Sequence, residues 1–192
     1  MTAVLFACAA AYLAGGFPTA YIAGKLFKGI DIRRHGSGNV GATNAVRVLG
    51  RKIGAWVFAV DFLKGWGPVF LATLFIPEHE LVMIAVGISA ILGHVFTPYL
   101  GFKGGKGVAT GAGALFGLYP TVFFAALAVW LLVFAVSRVV SISSIAAAAS
   151  LPIASFFFGQ SPVAVSTMTL LFAFMLWNHR SNIARLRKGD GA

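Results

Sequence analysis

Long apolar segments restrict this chain to folds that can exist inside a lipid bilayer. A transmembrane helix needs about 20 consecutive apolar residues, and the stretch Val108–Val136 has no charged side chain and a single proline, Pro120. Hydrophobic residues make up 59% of the 192 residues and charged residues 10%, whereas soluble domains carry about 25% charged residues. We therefore predict an all-α polytopic membrane protein that forms one domain over residues 1–192.

The charge distribution predicts how these segments cross the bilayer, because lysine and arginine are enriched on the cytoplasmic side. If Val108–Val136 crosses twice, every lysine and arginine except Lys64, which lies within a span, is cytoplasmic; if it crosses once, Arg138 and the cationic tail face outward. The double crossing is favoured, which gives seven transmembrane helices, some short, with the N-terminus outside and the C-terminus cytoplasmic. The predicted spans are Thr2–Ala23, Ile53–Ile76, Leu81–Tyr99, Val108–Leu118, Pro120–Ser137, Ser143–Phe158 and Pro162–Asn178.

The net charge of +10 indicates which partners to expect. On a membrane protein such an excess marks the cytoplasmic face and attracts anionic lipids and anionic substrates, so no nucleic-acid partner is expected. Cys8 is the single cysteine, so the chain has no internal disulfide and no cysteine pair for a metal. We expect no cofactor and no metal, and we expect a monomer.

Residues 33–47, called here the first polar loop, lie between two apolar segments and are rich in small polar residues. Its glycines permit positive φ and leave N–H groups unobstructed, and consecutive amides of this kind form anion-binding concavities. A helix starting near Ala42 would add a favourable dipole, and Arg33, Arg34 and Arg47 add charge. We interpret the loop as a phosphate cradle; the alternative is an ordinary cytoplasmic loop with positive-inside charges. The glycines are Gly36, Gly38 and Gly41, and the side-chain donors are Ser37, Asn39, Thr43 and Asn44.

Residues 101–107, the second polar loop, contain several glycines and two lysines before a segment of small residues. The pattern resembles a P-loop, but its spacing fails, because Leu100 stands where the first glycine belongs and Gly107 where Ser or Thr is required. Nucleotide hydrolysis is therefore rejected. An anion site formed by Lys103 or Lys106 with backbone amides at a helix start remains; the alternative is a flexible basic turn.

The tail, residues 178–187, and a few isolated residues are the other polar features. If the last helix continues, His179 and Asn182 share a face, and the histidine could donate to a phosphate or move a proton; the alternative is a snorkelling cationic helix end. Asp61 and Lys64 are predicted to form an i,i+3 pair within a span. His94 is expected to be a satisfied packing residue rather than a metal ligand. The serines Ser141, Ser143 and Ser144 are helix caps, or one of them hydrogen-bonds a substrate.

The three polar segments together resemble the three signature motifs of the bacterial acyl-phosphate:glycerol-3-phosphate acyltransferases, and the resemblance covers essentially the whole chain. The matching runs are residues 36–44 (GSGNVGATN), residues 101–110 (GFKGGKGVAT) and residues 179–186 (HRSNIARL). One position departs from the family pattern: the third motif often ends in a glutamate two positions after a glycine, whereas Gly189 is followed by Asp190 and Gly191.

The resemblance implies a bacterial inner-membrane enzyme with its active site facing the cytoplasm. It would transfer a fatty acyl group from acyl phosphate to the 1-hydroxyl of glycerol 3-phosphate, giving lysophosphatidic acid and phosphate, the first acylation step of phospholipid synthesis. The implied catalytic residues are Ser37, Arg47, His179 and Asn182. The implied substrate-binding residues are Gly36, Gly38, Asn39, Gly41, Thr43, Asn44, Lys103, Gly104, Lys106 and Ser144; the resemblance places the acyl-phosphate head on the first polar loop and glycerol 3-phosphate on Arg47, Lys106, Ser144, His179 and Asn182.

The residues favour direct attack on the acyl phosphate without an acyl-enzyme. Carboxylates are scarce around the polar loops, and the chain has no G-x-S-x-G elbow, so positioning of two anionic reactants fits better than covalent or metal catalysis. An anion transporter is the rival class, but a transporter would need polar residues along a path through the bilayer. A lipid-binding scaffold, the third class, would tolerate loss of Arg47.

Overall fold

The computed structural model describes residues 1–76 and 79–187, and every regular element in these ranges is helical. The predicted all-α class is therefore confirmed. Two short 3-10 turns, Ile32–Arg34 and Pro98–Leu100, lie at the start of the first polar loop and directly before the second. The helices are α1 (Thr2–Gly16), α2 (Thr19–Lys28), α3 (Ala42–Leu49), α4 (Arg51–Phe75), α5 (Glu80–Val95), α6 (Val108–Leu118), α7 (Pro120–Ser137), α8 (Val140–Phe157), α9 (Pro162–Asn178) and α10 (Arg180–Arg187).

Five stretches of the described chain are long and apolar enough to cross a bilayer, and α6 and α9 are shorter apolar helices. Large apolar side chains such as Phe75, Leu132 and Val136 are exposed on their surfaces, which is expected of helices that face lipid rather than water. The five stretches are Thr2–Lys28, Arg51–Phe75, Glu80–Leu100, Pro120–Ser137 and Val140–Phe157.

The predicted boundaries hold best where a proline sets them. The division of the long apolar run into α6 and α7 is confirmed, and α7 starts at Pro120 because a proline at the first helical position needs no N–H partner. The first span differs, since its helix is interrupted at Phe17 and Pro18 and resumes as α2. The α2 helix then runs beyond Ala23 into the polar segment and ends at Gly29, whose φ is +66°.

The chain divides into two compact units, of which the first is Met1–Leu118 and the second begins at Tyr119. In the first unit, helices cross where glycine lets the backbones approach, as small residues do in membranes. A methyl group on Gly113 would overlap the Phe62 carbonyl oxygen, and one on Gly65 would overlap that of Thr110. Gly113 and Gly65 thus mark the point where α6 meets α4.

The α1–α5 crossing is built in the same way. A methyl group on Gly15 would overlap the Ala90 carbonyl oxygen, and one on Gly93 would overlap that of Tyr12. The other glycines of α6 differ in how closely they approach their neighbours. Gly117 lies tightly against Val69, whereas an added methyl at Gly111 would only meet Ile91 at 3.8 Å, an ordinary contact.

The predicted pair of Asp61 and Lys64 is confirmed, and it is buried. Lys64 Nζ lies 2.9 Å from Asp61 Oδ1 and donates a 2.7 Å hydrogen bond to the carbonyl oxygen of Phe17. Phe17 is the residue at which α1 ends. The lysine therefore ties α4 to the break between α1 and α2.

In the second unit α7, α8 and α9 pack in sequence, and the serines at the start of α8 do not cap it. The helix starts at Val140, with Val139 as its N-cap and no side-chain capping bond. Ser143 and Ser144 instead lie inside the first turns and donate to the carbonyl oxygens of Val139 and Val140. The capping interpretation is therefore wrong, because the helix begins earlier than the predicted Ser143.

Candidate functional site

The first polar loop is stabilised at its start by an ion pair. Asp31 accepts a 3.1 Å bond from the backbone N–H of Arg33 and lies 2.7 Å from its guanidinium. These hydrogen bonds hold the pKa of the Asp31 carboxyl at about 2, below its ordinary value of 3.8. The guanidinium also lies over the Tyr21 ring, 5.0 Å from its centroid. Arg33 is thus held by the protein, whereas Arg34 and Arg47 are exposed without such a pair in the described chain.

Asn44 organises the loop from within. It is 2% exposed, and its Oδ1 accepts a 2.9 Å bond from the N–H of Ser37. Its Nδ2 donates to the carbonyl oxygens of Asn39 at 2.9 Å and His35 at 3.1 Å, with a longer 3.4 Å contact to Ile32. One side chain therefore fixes the backbone at four points, and its polar atoms are occupied by the loop itself.

The glycines explain the tight course of the chain around Asn44. Gly36 and Gly38 have φ of +60° and +72°, a conformation that costs other residues energy. A methyl group on Gly36 would also overlap Asn44 Oδ1. Gly36 and Gly38 thus use the positive φ that glycine permits, whereas Gly41 is extended, with φ of −127°, and is the N-cap of α3.

The exposed groups of the loop lie beside the start of α3. The helix starts at Ala42, as predicted, and its first N–H groups have no partner within a helix. Ser37, Thr43 and Arg47 are exposed, and Thr43 and Arg47 are four residues apart, so they share one helix face. Backbone donors, two hydroxyls and a guanidinium are thus presented by one short stretch, which is chemistry suited to a phosphate.

A buried apolar cluster supports the first polar loop. Leu100, which immediately precedes the second polar loop, packs against the same cluster, so both polar loops rest on one apolar support within the first unit. Lys28 adds a polar tie by donating a 2.7 Å bond to the Val48 carbonyl oxygen near the end of α3. The buried members of the cluster are Ala20, Ala23, Ile32, Val40, Ala45, Leu49 and Val57.

The second polar loop turns sharply and then leads into α6. Gly101 has φ of +64°, and Phe102 has φ of +61° although it carries a side chain; such strain is found at functional loops. The N–H of Phe102 donates to the Thr97 carbonyl oxygen at 2.8 Å. Lys103 is exposed and Lys106 is half-buried, so the two lysines that sequence could not distinguish differ in environment.

The middle of this loop is fixed to the end of α5. The N–H of Gly104 donates to the Val95 carbonyl oxygen at 2.9 Å, and the N–H of Gly105 donates to that of His94 at 3.1 Å. His94 is buried as predicted, but it is not satisfied, because its Nδ1 has no hydrogen-bond partner among the described residues. The sequence offered no sign that His94 contacts this loop.

Ser144, His179 and Asn182 belong to the second unit. Ser144 is buried and accepts a 3.2 Å bond from Trp130 Nε1. His179 is 2% exposed, and its Nδ1 lies 2.9 Å from the Met175 carbonyl oxygen. The last helix does not continue without a break, since α9 ends at Asn178 and α10 starts at Arg180. Asn182 Oδ1 is buried and has no hydrogen-bond partner in the described chain.

The remaining expectations concern the tail and a possible metal site. Arg180 lies over the Trp177 ring, 4.4 Å from its centroid, and donates a hydrogen bond to the Trp177 carbonyl oxygen. The shifted carboxylate, Asp190, lies outside the described residues. In residues 1–76 and 79–187, no three His, Cys, Asp or Glu side chains are grouped so that they could hold a metal ion.

The fold and the two glycine-rich loops define a multi-pass helical membrane protein with a candidate anion site. The glycerol-3-phosphate acyltransferase family model matches residues 5–189. Glycerol-3-phosphate acyltransferases of Trichlorobacter lovleyi and Myxococcus xanthus are 47% and 45% identical; the matches cover 98% and 92% of this chain and 96% and 92% of theirs. The chain therefore belongs to the glycerol-3-phosphate acyltransferase family, and it is an acyltransferase.

Solved structures agree with this assignment. Crystal structures of PlsY, an integral membrane glycerol 3-phosphate acyltransferase, are 39% identical to this chain in two forms. The glycerol 3-phosphate form matches with a TM-score of 0.92 and the lysophosphatidic acid form with 0.89, each over 99% of this chain and 94% of the other.

Proposed function

We propose that this protein transfers a fatty acyl group from acyl phosphate to the 1-hydroxyl of glycerol 3-phosphate, giving lysophosphatidic acid and phosphate. The observation that carries the proposal is the first polar loop, which Asn44 holds in shape while Ser37, Thr43 and Arg47 remain exposed. A rigid group of donors suits a phosphate that must be bound in the reactant and stabilised as it leaves. The relatives solved with glycerol 3-phosphate and with lysophosphatidic acid support the acceptor and the product.

The proposed setting is the bacterial inner membrane, with seven spans, the N-terminus outside and the active site facing the cytoplasm. The five long stretches together with the shorter α6 and α9 supply the seven helices. The positive-inside rule orients them, because residues 24–52, residues 101–107, Arg138 and the C-terminal tail carry every lysine and arginine except Lys64. The protein acts as a monomer in contact with membrane lipids and requires no cofactor.

The proposed reaction is a direct attack. The acyl chain lies between helices, with its carbonyl and phosphate at the cytoplasmic boundary. The glycerol 3-phosphate hydroxyl oxygen bonds to the acyl carbon, and the bond from that carbon to the phosphate oxygen breaks. The proton passes to a substrate phosphate, whose second pKa is near 6. The first polar loop and the lysines hold both anions in place during the transfer.

The residue roles follow the resemblance with one change. Ser37, Gly38, Asn39, Gly41 and Thr43 hold the acyl-phosphate head, and Gly36, Lys103 and Gly104 contribute to binding the substrate phosphates. Arg47, Lys106, Ser144, His179 and Asn182 bind glycerol 3-phosphate. Asn44 acts by organising the loop rather than by touching substrate, because its amide is occupied by the loop backbone.

The function is tested by incubating purified protein with labelled glycerol 3-phosphate and acyl phosphate, with acyl-CoA as the control donor. Labelled lysophosphatidic acid is expected only with acyl phosphate. Product from acyl-CoA alone would contradict the proposed donor. Phosphate uptake into proteoliposomes without acyl transfer would replace the proposal with an anion transporter.

Lys106→Ala is expected to raise the KM for glycerol 3-phosphate by about tenfold or more and to change kcat less, because it removes binding charge. Steady-state kinetics with varied glycerol 3-phosphate measures this. Lys103→Ala is the matched comparison, since Lys103 is exposed and Lys106 is half-buried on the same loop. An unchanged KM in Lys106→Ala would refute the role given to this lysine.

Ser37→Ala is expected to lower kcat by about tenfold or more, because the leaving phosphate loses a donor in the transition state. Ser89→Ala is the control, since the Ser89 hydroxyl bonds Ala85 within its own helix. Full activity of Ser37→Ala would count against the phosphate cradle. Mass spectrometry of protein caught during turnover should show no acyl group on Ser37, and stoichiometric acylation there would replace direct attack with an acyl-enzyme.

A further inference from the structure

We propose that His94 is a positioning residue for the reaction: its buried ring fixes the backbone of the second polar loop and thereby the two lysines that the loop presents to substrate. This inference rests on the proposed function, because that function assigns Lys103 and Lys106 to a phosphate-bearing substrate. It concerns a residue outside all three signature segments. Its chemistry is that of a rigid buried support rather than of a group that touches substrate.

The geometry around Gly104 and Gly105 shows how the ring acts. Both N–H groups bond to carbonyl oxygens at the end of α5, those of Val95 and His94. A methyl group on Gly105 would overlap the ring at His94 Nε2, whereas one on Gly104 would overlap the His94 carbonyl oxygen. The ring of His94 therefore packs directly against the backbone of Gly105. The main-chain carbonyl of His94 accepts the hydrogen bond from the Gly105 N–H.

The imidazole of His94 carries a polar atom that the fold leaves unpaired. Its Nδ1 is buried without a hydrogen bond in the described chain. Burying an unpaired polar nitrogen is unfavourable, so packing alone is a poor reason for this residue.

The lysines flank the contact, which links it to substrate. Lys103 and Lys106 stand one position to either side of the pair Gly104–Gly105. A loop that is free to move away from the α5 end carries both ammonium groups with it. Misplacement of a binding group by about 1 Å can change rates by up to about 100-fold, so the ring controls binding without any contact with the substrate.

The contact is tested by a double-mutant cycle read as thermal stability in detergent. Gly105→Ala should lower the unfolding temperature in the wild-type background and lower it much less in His94→Ala, because truncation of the ring removes the overlap. Gly104→Ala is the matched control, since its overlap is with the His94 main chain and His94→Ala cannot relieve it. Equal losses from Gly105→Ala in both backgrounds would overturn the contact.

The functional role is tested by steady-state kinetics. His94→Ala should raise the KM for glycerol 3-phosphate by about tenfold with a smaller change in kcat. Combined with Lys106→Ala it should raise KM by a smaller factor, because the ring acts in part through that lysine. His94→Gln, which keeps much of the volume of the side chain, should keep KM within about twofold of wild type and serves if His94→Ala does not fold.

The outcomes separate this inference from the proposed function. Absence of acyl transfer in the wild type rejects the proposed function, and the stability cycle still decides whether the contact exists. With an active wild type, a normal KM in His94→Ala overturns the positioning role. So does a KM that rises by the same factor with and without Lys106.

Discussion

Asn44→Ala is expected to reduce acyl transfer by about 100-fold or more, because the geometry of the first polar loop, the proposed phosphate site, depends on this side chain. The substitution removes a bond to the Ser37 N–H and the donor for carbonyl oxygens of the same loop. Each such bond contributes about 1 kcal/mol, and a buried partner left unpaired costs about 1–3 kcal/mol. Initial rates with both substrates at saturation, together with the unfolding temperature, measure the effect.

Asn44→Asp is the sharper companion variant, since it keeps the size of the side chain and the acceptor for the Ser37 N–H. It removes the donor and sets a negative oxygen against the carbonyl oxygens of His35 and Asn39, so activity should fall at least as far as in Asn44→Ala. Wild-type activity in Asn44→Asp would show that the amide nitrogen does not hold the loop. Loss of activity with unchanged unfolding would place the damage in the loop rather than in the fold.

Gly113→Ala is expected to destabilise the first unit by about 1–3 kcal/mol or more, because an added methyl has no room at the α4–α6 crossing. The methyl would overlap the Phe62 carbonyl oxygen, which belongs to a helix backbone and cannot rotate away. Membrane proteins often unfold irreversibly, so the measurement is the rate of inactivation at fixed temperature in one detergent. The rate should rise several-fold.

Gly111→Ala is the matched control in α6 itself. The nearest group to the position that its methyl would take is Ile91 Cδ1 at 3.8 Å, an ordinary contact, and alanine favours a helix by about 1 kcal/mol over glycine. Its inactivation rate should therefore stay at or below that of the wild type. A Gly113→Ala protein as stable as Gly111→Ala would show that α4 and α6 do not approach closely at Gly113.

Sequence reasoning located the helices and the polar loops but not the contacts that shape them. The start of α3 at Ala42 and the division at Pro120 were predictable because local rules of charge, glycine and proline decide them. The capping role of Ser143 and Ser144 failed because α8 starts at Val140, and the residues before it gave no strong local sign. Helix ends that depend on packing are not visible in composition.

Asn44 and His94 show the same limit within the site. The sequence placed Asn44 correctly in the first polar loop, but the choice between binding a ligand and binding the loop depends on where its amide points. His94 looked like an ordinary packing residue because its partner, Gly105, has no side chain that a sequence pattern could pair with it. Contacts made to backbone leave no complementary residue type to recognise.

The glycine crossings of the first unit also govern the order in which the protein can assemble. The α1 backbone meets α5 at Gly15 and Ala90, and the α4 backbone meets α6 at Phe62 and Gly113. During synthesis α1 and α4 enter the bilayer before these partners exist. Small-residue faces gain their stabilisation only from a neighbouring helix, so the α1 face is paired only when α5 arrives and the α4 face only when α6 arrives. The first unit can therefore be completed only after α6, its last helix, has entered the bilayer.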